Sequence, residues 1–237
     1  MILTKEDNTI TRLSIIIPTL NESKNLPLLL SDLSEINNKS ETLIIDSTSK
    51  DKTRDIAFIN GTRFYKINEN NRGLQLNYGA RKAKGEWLLF IHADSRLKFS
   101  WSREIIDIIK KESNLIYYFN FKVNNKSFTY RFLEFFVNLR CFLLKTPYGD
   151  QGLLISKDNF KTQGGYKTIP IMEDFDFISR INKKNLRSLK TPIFTSSRKW
   201  DEVNFVWQSL KNWHLRRLIQ KNYSINRIYK KYYKISK

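Results

Sequence analysis

The sequence predicts an α/β domain with a mostly parallel sheet and helices on both faces. Over the first 95 residues, short apolar runs rich in β-branched residues alternate with segments whose apolar residues recur at helical spacing. The runs are apolar almost throughout, which is typical of strands buried on both faces. Strands that alternate with helices imply right-handed crossovers, and such crossovers build a parallel sheet.

Each element follows from a local pattern. The run "RLSIIIPTL" (12–20) predicts a first strand, and Asn21 is then predicted to cap a helix. That helix carries apolar residues at helical spacing, namely Leu26, Leu29, Leu30, Leu33 and Ile36. Further strands are predicted at 41–46, 62–67 and 86–93, and further helices at 52–59 and 73–83.

Three polar loops follow predicted strands. They are "PTLNES" after the first strand, "DSTSKD" after the second and "HADSR" after the fourth. In open α/β sheets, ligands bind beyond the carboxyl ends of the strands, so these loops are predicted to share one rim. A carboxylate inside the sheet would be costly, whereas Asp94 at a strand end can meet a cation in the crevice, and Asp46 can accept hydrogen bonds from a ribose. The glycine-rich phosphate-binding fingerprints are absent, so nucleotide binding would rely on side chains and a metal.

Composition predicts a folded protein. The chain has 237 residues, of which 41% are hydrophobic and 14% aromatic. We expect one domain over residues 1–202 and a basic, aromatic helical segment over 203–237. The single cysteine, Cys141, cannot form an intramolecular disulfide, and the first residues carry no long apolar stretch, so we expect a cytoplasmic protein. The apolar run 130–144 is interrupted by Glu134 and Arg140 and is too short to span a membrane.

The charge is concentrated towards the C-terminus. The formal net charge is +19, and after Glu202 the sequence has nine Lys and Arg residues and no acidic residue. Such a segment attracts nucleotide phosphates, nucleic acid or anionic lipid, or it reflects composition alone. Two helices are predicted at 203–220 and 224–235, with Trp207, Leu210, Trp213 and Leu218 at helical spacing and His214 as an ordinary helix residue. Arg and Lys beside Trp and Tyr suggest peripheral contact with the inner face of the membrane, near a lipid-linked acceptor.

Five motifs occur in order: "SIIIPTLNES", "LIIDSTSKDKT", "NRGLQLNYGARKAKGEWLLFIHADSRL", "PYGDQGLLISKDNFKTQGGYKTIPIMEDFDF" and "SSRKW". In this order they resemble the family 2 glycosyltransferases with the GT-A fold, over residues 12–220. "HAD", "PYGDQG" and "MED" resemble, more narrowly, the small branch called the radical-SAM/selenodomain-associated transferases. The resemblance implies inverting transfer from a nucleotide-diphosphate sugar, with UDP as the leading nucleotide, to an acceptor hydroxyl.

The resemblance also implies residue roles. Asp94, which matches the last acid of the family's D-x-D motif, would hold Mg²⁺ or Mn²⁺ on the diphosphate. Asp174 is the expected catalytic base, with Glu173 as the alternative. The implied donor-binding residues are Pro18, Thr19, Asn21, Glu22, Asp46, Arg72, Gln75, Asn77, His92, Ala93 and Asp94. The implied acceptor-side residues are Asp150, Gln151, Arg198 and Trp200.

These residue types suit the chemistry. Departure of a nucleoside diphosphate builds negative charge, and Mg²⁺ or Mn²⁺ neutralises such charge while it binds only one or two protein carboxylates. Inversion needs a base on the opposite face of the sugar, and "MEDFDF" supplies carboxylates. Pro170 favours a helix that starts near Glu173, where the helix dipole stabilises carboxylates.

Departures from the family pattern keep other functions open. His92 stands where many members have the first acid of D-x-D, so cation binding would rest on Asp94, the diphosphate and water. "RKW" carries Lys199, without the Gln of the family's Q-x-x-R-W motif. The alternatives are a module that binds nucleic acid or an anionic membrane, a nucleotidyltransferase, and a non-catalytic transferase fold. Acidic residues at the rim disfavour nucleic acid, and the first loop lacks the Gly and Arg expected of a nucleotidyltransferase.

Overall fold

The computed structural model describes residues 12–98, 100–125, 127–196 and 214–218. Within these ranges the strands are β1 (Leu13–Thr19), β2 (Ser40–Asp46), β3 (Arg63–Lys66), β4 (Trp87–Phe90), β5 (Ser95–Leu97), β6 (Ile116–Val123), β7 (Leu153–Ser156) and β8 (Leu186–Thr195). The α-helices are α1 (Leu26–Leu33), α2 (Thr53–Ile59), α3 (Arg72–Lys82), α4 (Trp101–Lys110), α5 (Phe128–Leu144), α6 (Lys157–Thr162) and α7 (Glu173–Arg180). Three 3₁₀ segments lie at Ser34–Lys39, Gly149–Gln151 and Lys183–Asn185.

The strands form one curled sheet in the order β3-β2-β1-β4-β7-β6-β8-β5. The first four positions are parallel, as predicted. Beyond β4 the sheet is mixed, because β7 runs antiparallel to β4 and β6, and β5 runs antiparallel to β8. The predicted α/β class is therefore confirmed, with a parallel half that carries the three polar loops and a mixed half that the sequence pattern did not resolve.

Helices cover both faces of the sheet. Ile15 and Ile17 of β1 pack into a core with α1 and α4, whereas Ile16 faces the opposite core with α3 and α7. All three isoleucines are fully buried. Burial on both faces explains why β1 is a continuous apolar run instead of an alternating one.

Two predicted boundaries are wrong. Asn21 does not cap a helix: it has a left-handed backbone (φ 56°), and α1 begins at Leu26 with Asn25 as its N-cap. The side-chain oxygen of Asn21 instead accepts a hydrogen bond from the backbone N–H of Lys50 (2.9 Å), so it joins two loops. The fourth strand ends at Phe90 instead of residue 93, because the chain turns at Ala93 and Asp94 to form β5 against β8.

The predicted C-terminal helices lie mostly outside the described residues. Residues 214–218 are helical, and the rest of 203–237 is not described, so the predicted division at residue 202 stays a prediction. Among the helices that the structure describes, none combines the length and the hydrophobicity needed to cross a bilayer.

Asp51 holds the first two rim loops together. Its carboxylate accepts hydrogen bonds from the backbone N–H groups of Ser23 (2.9 Å) and Thr53 (3.0 Å) and from the hydroxyl of Thr53. That hydroxyl oxygen in turn accepts a hydrogen bond from the backbone N–H of Glu22 (2.9 Å). Slight desolvation raises the pKa of Asp51, but the hydrogen bonds from Thr53 and Ser23 outweigh it and lower the pKa to about 2.

We predict that Asp51→Asn lowers the free energy of unfolding at pH 7 by about 1 kcal/mol, a small value because the carboxylate is exposed to solvent. Because the pKa of Asp51 is lower in the folded than in the unfolded protein, its carboxylate stabilises the fold at pH values above the unfolded-state pKa. This contribution disappears as the pH falls from about 4 to about 2. Urea denaturation across pH 2 to 7 should show the variant and the unsubstituted protein converging at the acid end. Glu69→Gln, at an exposed site, is the control, and a pH-independent difference would contradict the assignment.

Candidate active site

The carboxyl ends of the parallel strands meet at one rim, as the three loops predicted. Thr19 at the end of β1 is paired with Asp46 at the end of β2, and the N–H of Ser47 donates to the carbonyl of Thr19 (2.9 Å). β4 lies on the other side of β1, and Ile91 just beyond it donates its N–H to the carbonyl of Ile16 (3.2 Å). Pro18 lies within β1, one residue before this rim.

Asp46 is buried and its carboxylate orders the second loop. One oxygen accepts a hydrogen bond from the hydroxyl of Thr19 (3.0 Å), and the other accepts one from the backbone N–H of Ser49 (2.8 Å). The hydroxyl of Ser49 also donates to Asp46, while its oxygen accepts from the N–H of Asn21 (2.7 Å). These contacts connect both loops, and the contact of Asp46 with a base or ribose stays a prediction.

Two residues of α3, Gln75 and Asn77, form hydrogen bonds with the backbone of neighbouring segments. The buried amide of Gln75 donates to the carbonyls of Thr19 (3.0 Å) and Ile45 (2.6 Å), so it ties β1 to β2. The amide of Asn77 donates to the carbonyl of Tyr166 (2.6 Å) and accepts from the N–H of the same residue (2.9 Å). The described structure therefore places both amides in internal contacts, and their predicted donor contacts stay predictions.

The first turn of α3 approaches the segment that precedes α7. A Cβ atom on Gly73 would overlap the carbonyl oxygen of Lys167, so this close contact requires glycine. The N-cap Asn71 accepts a hydrogen bond from the N–H of Leu74 (2.9 Å) and donates to the carbonyl of Ile169 (3.3 Å). This contact brings Arg72 to α7.

Arg72 forms an ion pair with Glu173, the first residue of α7. The side chain of Glu173 is 2% exposed and that of Arg72 is 40% exposed. Burial raises the pKa of Glu173 above its usual range; Arg72 opposes this increase, and the charge of Asp174 adds to it. The carboxylate of Glu173 is therefore committed to a salt bridge.

Asp174 is held differently. One oxygen of its carboxylate accepts a hydrogen bond from the N–H of Gly149 (2.8 Å), and the other accepts from the N–H of Phe175 (2.7 Å). A Cβ atom on Gly149 would lie 3.0 Å from Nε2 of His92 and 3.2 Å from Asp174 Oδ2, tighter than ordinary contact, so glycine suits this position. A small pocket is lined by His92, Gly149, Tyr166, Glu173 and Asp174, among others. The structure thus brings together the predicted residues His92, Glu173 and Asp174.

His92, Ala93 and Asp94 form the turn after β4. The N–H of Ser95 donates to the carbonyl of His92 (3.1 Å), which closes the turn, and Ala93 is buried. Asp94 is 7% exposed. Within the described ranges, no group of three or more His, Cys, Asp or Glu side chains can hold a metal by itself. A divalent cation can take one carboxylate from a protein and its other ligands from phosphates and water, so cation binding by Asp94 stays a prediction.

Tyr148 directly precedes Gly149, the glycine that contacts Asp174. Its ring contacts the guanidinium groups of Arg140 (3.9 Å from the ring centroid) and Arg216 (4.7 Å). Burial raises the pKa of Tyr148, although both arginines oppose this effect. Arg216 belongs to the helical residues 214–218, so this part of the basic C-terminal segment lies beside the site.

The structure describes two of the four residues predicted on the acceptor side. Gln151 is fully buried, where its side chain donates to the carbonyl of Phe119 (3.2 Å) and accepts from the Cys141 thiol (3.1 Å). Asp150 adjoins Gly149 and accepts a long hydrogen bond at its carbonyl from Thr195 (3.4 Å). Arg198 and Trp200 lie outside the described residues.

Sequence reasoning missed part of the site. It did not name Gly149, Arg140, Tyr148 or Arg216 among the candidate site residues. The only available signal was the "PYGDQG" motif, which places a glycine directly after Tyr148. The two arginines gave no local signal, because their contacts with Tyr148 join distant parts of the chain.

Comparisons with known proteins give the family of the chain and test its fold. A family model described as "Glycosyl transferase family 2" matches residues 14–186. An uncharacterized glycosyltransferase of Haemophilus influenzae is 27% identical over 198 residues, which cover 77% of this chain and 64% of that protein. The chain thus spans less than two thirds of the length of that relative.

Solved structures show the same fold. TarS residues 1–349 of S. aureus, crystallised in complex with UDP-GlcNAc, matches with a TM-score of 0.63 and 16% identity, over 78% of this chain and 58% of that chain. Glucosyl-3-phosphoglycerate synthase from Mycobacterium tuberculosis, in complex with Mn²⁺, UDP and glucosyl-3-phosphoglycerate, matches with a TM-score of 0.54 and 14% identity, over 78% and 70%. The GT-A fold expected from the sequence motifs is therefore confirmed.

We predict that Arg72→Gln destabilises the protein by about 2 kcal/mol at pH 7, because it leaves the buried Glu173 carboxylate without its cation. The pKa of Glu173, already raised by burial, should then rise further. The loss should therefore be small in acid, where Glu173 is protonated in both proteins, and should grow as the pH rises through the raised folded-state pKa. Urea denaturation at several pH values measures this effect. The double variant Arg72→Gln/Glu173→Gln should recover most of the stability, and no recovery would contradict the ion-pair explanation.

Proposed function

Because this chain belongs to glycosyl transferase family 2, we propose that it transfers a sugar from a UDP-sugar to an acceptor hydroxyl, with inversion at the anomeric carbon. The observation that carries this proposal is the carboxylate of Asp174, which two backbone N–H groups hold in a pocket beside His92. The complexes of the structural neighbours with UDP-GlcNAc and UDP support a uridine nucleotide as the donor. The narrower radical-SAM/selenodomain branch stays a prediction.

The two adjacent carboxylates have different roles in this proposal. Glu173 is buried and paired with Arg72, so it fixes α7 against α3. Asp174 remains as the group that can take the proton of the acceptor hydroxyl. As that proton moves to Asp174, the acceptor oxygen bonds to the anomeric carbon, and the bond from that carbon to the diphosphate oxygen breaks. The electron pair of this bond leaves with the diphosphate.

In this proposal Asp94 and His92 act at the diphosphate end of the donor. Both follow β4 on the rim that parallel sheets use for ligands. A Mg²⁺ or Mn²⁺ ion bound by Asp94 together with the phosphates would neutralise the charge that builds on the leaving group. His92 lies near Gly149 and Asp174 in space, and it precedes the proposed cation ligand Asp94 by two residues in the sequence.

We infer that the acceptor approaches past Gly149, which lines the pocket, and its neighbour Tyr148. Gly149 orients Asp174 through its N–H, and Tyr148 adjoins it with two arginines against its ring. Asp150 borders the same turn and stays an acceptor-side prediction, whereas Gln151 supports the turn from the core.

We predict that Asp174→Asn lowers kcat by about 10²- to 10⁴-fold, because an amide cannot take the proton of the acceptor. The affinity for the UDP-sugar should stay within a factor of about two, since the base faces the acceptor and not the nucleotide. UDP release from a panel of UDP-sugars, with water or added alcohols as acceptors, measures turnover, and calorimetry measures donor affinity.

Asp176→Asn is the matched control for this variant. Asp176 lies in the same helix and forms ion pairs with Lys167 (2.6 Å) and Arg180 (3.0 Å), so its loss should affect stability but not turnover. Glu173→Gln distinguishes the two candidate bases. If that variant loses turnover and Asp174→Asn keeps it, the roles are reversed.

We also predict that Asp94→Asn removes the Mn²⁺-dependent part of UDP binding. A ligand that binds only the folded protein raises its melting temperature, so UDP with Mn²⁺ should raise the melting temperature of the unsubstituted protein more than UDP alone does. Asp94→Asn should show the same small shift with and without Mn²⁺. An undiminished Mn²⁺-dependent shift in this variant would exclude Asp94 as the cation ligand.

A further inference from the structure

Helix α5 exposes an apolar stripe. Twelve large hydrophobic residues are exposed in the described part of the chain, and eight of them belong to α5. Seven of these lie within an arc of about 120° when the helix is drawn at 100° per residue. The seven residues of this stripe are Phe128, Phe132, Phe135, Phe136, Leu139, Phe142 and Leu143.

The opposite side of α5 is partly polar and faces the protein. The buried carboxylate of Glu134 accepts a hydrogen bond from the N–H of Val123 (2.7 Å). Asn138, one turn later, accepts from the N–H of Phe121 (2.9 Å) and donates to the carbonyl of the same residue (3.0 Å). β6 pairs with β7 only at Tyr117, and further along β6 these two side chains form hydrogen bonds with its backbone groups. The polar side of α5 therefore faces the protein, the reverse of an ordinary surface helix. The hydrogen bonds to β6 fix the stripe on the outside.

The charges around the stripe are positive. Glu134 is the only acidic residue of α5, and it is buried in an ion pair with Arg131 (2.9 Å). Arg131 and Arg140 flank the stripe on its two sides at helical spacing, and the ammonium of Lys145 lies 5.5 Å from the ring centroid of Phe142. An exposed aromatic surface with cations and no carboxylate at its margin complements an anionic surface that has an apolar interior.

The described part of the basic C-terminal segment, residues 214–218, has a contact close to the end of this helix. Arg216 contacts Tyr148, and the same ring contacts Arg140 of α5. After residue 218 the sequence continues to residue 237 with six Lys and Arg residues and no acidic residue. Arg216 therefore lies near Arg140 of α5, and cations beside the apolar stripe suit one partner that offers both acyl chains and negative charge.

We propose that α5 is a membrane-docking helix that lies in the interface of an anionic phospholipid bilayer, with its stripe among the acyl chains. Interfacial helices bind through apolar area and through attraction of their cations to anionic lipid, and α5 with its surroundings offers both. A second copy of the chain fits less well, because each copy carries a net charge of +19.

The docking surface borders the candidate active site. α5 ends at Leu144, and Gly149, which holds Asp174, follows five residues later. The next step, and this step alone, rests on the proposed glycosyl transfer. In that reaction, the acceptor is a hydroxyl carried by a lipid at the bilayer surface. Docking through α5 would place the acceptor side of the pocket near the lipid headgroups.

The test is co-sedimentation of the full chain with vesicles. Vesicles of phosphatidylcholine with 30% phosphatidylglycerol should bind the protein, and pure phosphatidylcholine vesicles should bind it more weakly. The variant Phe135→Gln/Phe136→Gln should reduce the partition coefficient of the protein between vesicles and water at least ~10-fold. The reason is that it removes two exposed aromatic rings that would enter the bilayer on docking. Phe58→Gln/Ile59→Gln, which removes two exposed apolar residues of α2, is the matched control and should bind as the unsubstituted protein does.

The other outcomes overturn the proposal. Absence of binding to anionic vesicles, or undiminished binding of the α5 variant, excludes α5 as the docking helix. A melting temperature of the α5 variant several degrees below that of the control indicates that another part of the chain covers the stripe. A dimer by light scattering that the α5 variant abolishes, without vesicle binding, indicates a second copy as the occupant. Asp174→Asn should bind vesicles normally, so this test is independent of the proposed catalytic function.

Discussion

The ion pair between Arg72 and Glu173 joins the two halves of the sheet at the candidate active site. Arg72 begins the helix that packs on β1 and β2, and Glu173 begins the helix that lies between β7 and β8 of the mixed half in the chain. A buried carboxylate is costly unless a cation is near, so α7 is stable in this position only while α3 presents its arginine. The position of Asp174, one residue further along, depends on this contact.

Much of the polar chemistry at the rim supports the fold. Asp46, Asp51, Gln75 and Asn77 all form internal hydrogen bonds that connect neighbouring loops or strands. Buried polar groups need partners, and here the partners are backbone groups at strand ends and in loops, where the sheet no longer satisfies them. The rim is therefore ordered before any ligand binds, which reduces the entropy that a donor would otherwise lose on binding.

The sequence predicts well what local periodicity determines and poorly what distant contacts determine. The parallel strands and the helix start at Glu173 follow from apolar runs and from Pro170. Asn21 resembles a helix cap, but a contact with Lys50 in another loop decides its conformation. The strand at 86–93 stops at Phe90 because β8, about 100 residues later, pairs with β5. The carboxylates were found because their order resembles a family motif, whereas Gly149 and the two arginines act only through tertiary contacts.

The hydrogen bonds from Glu134 and Asn138 to β6 have a consequence for association. A strand edge with free N–H and C=O groups is a template on which another chain can add a strand. At Phe121 and Val123 these groups are already occupied by side chains of a helix, which cannot itself be extended by a further strand. A hydrophobic helix can thus lie on the surface of the protein without a free strand edge beside it on which another chain could add a strand.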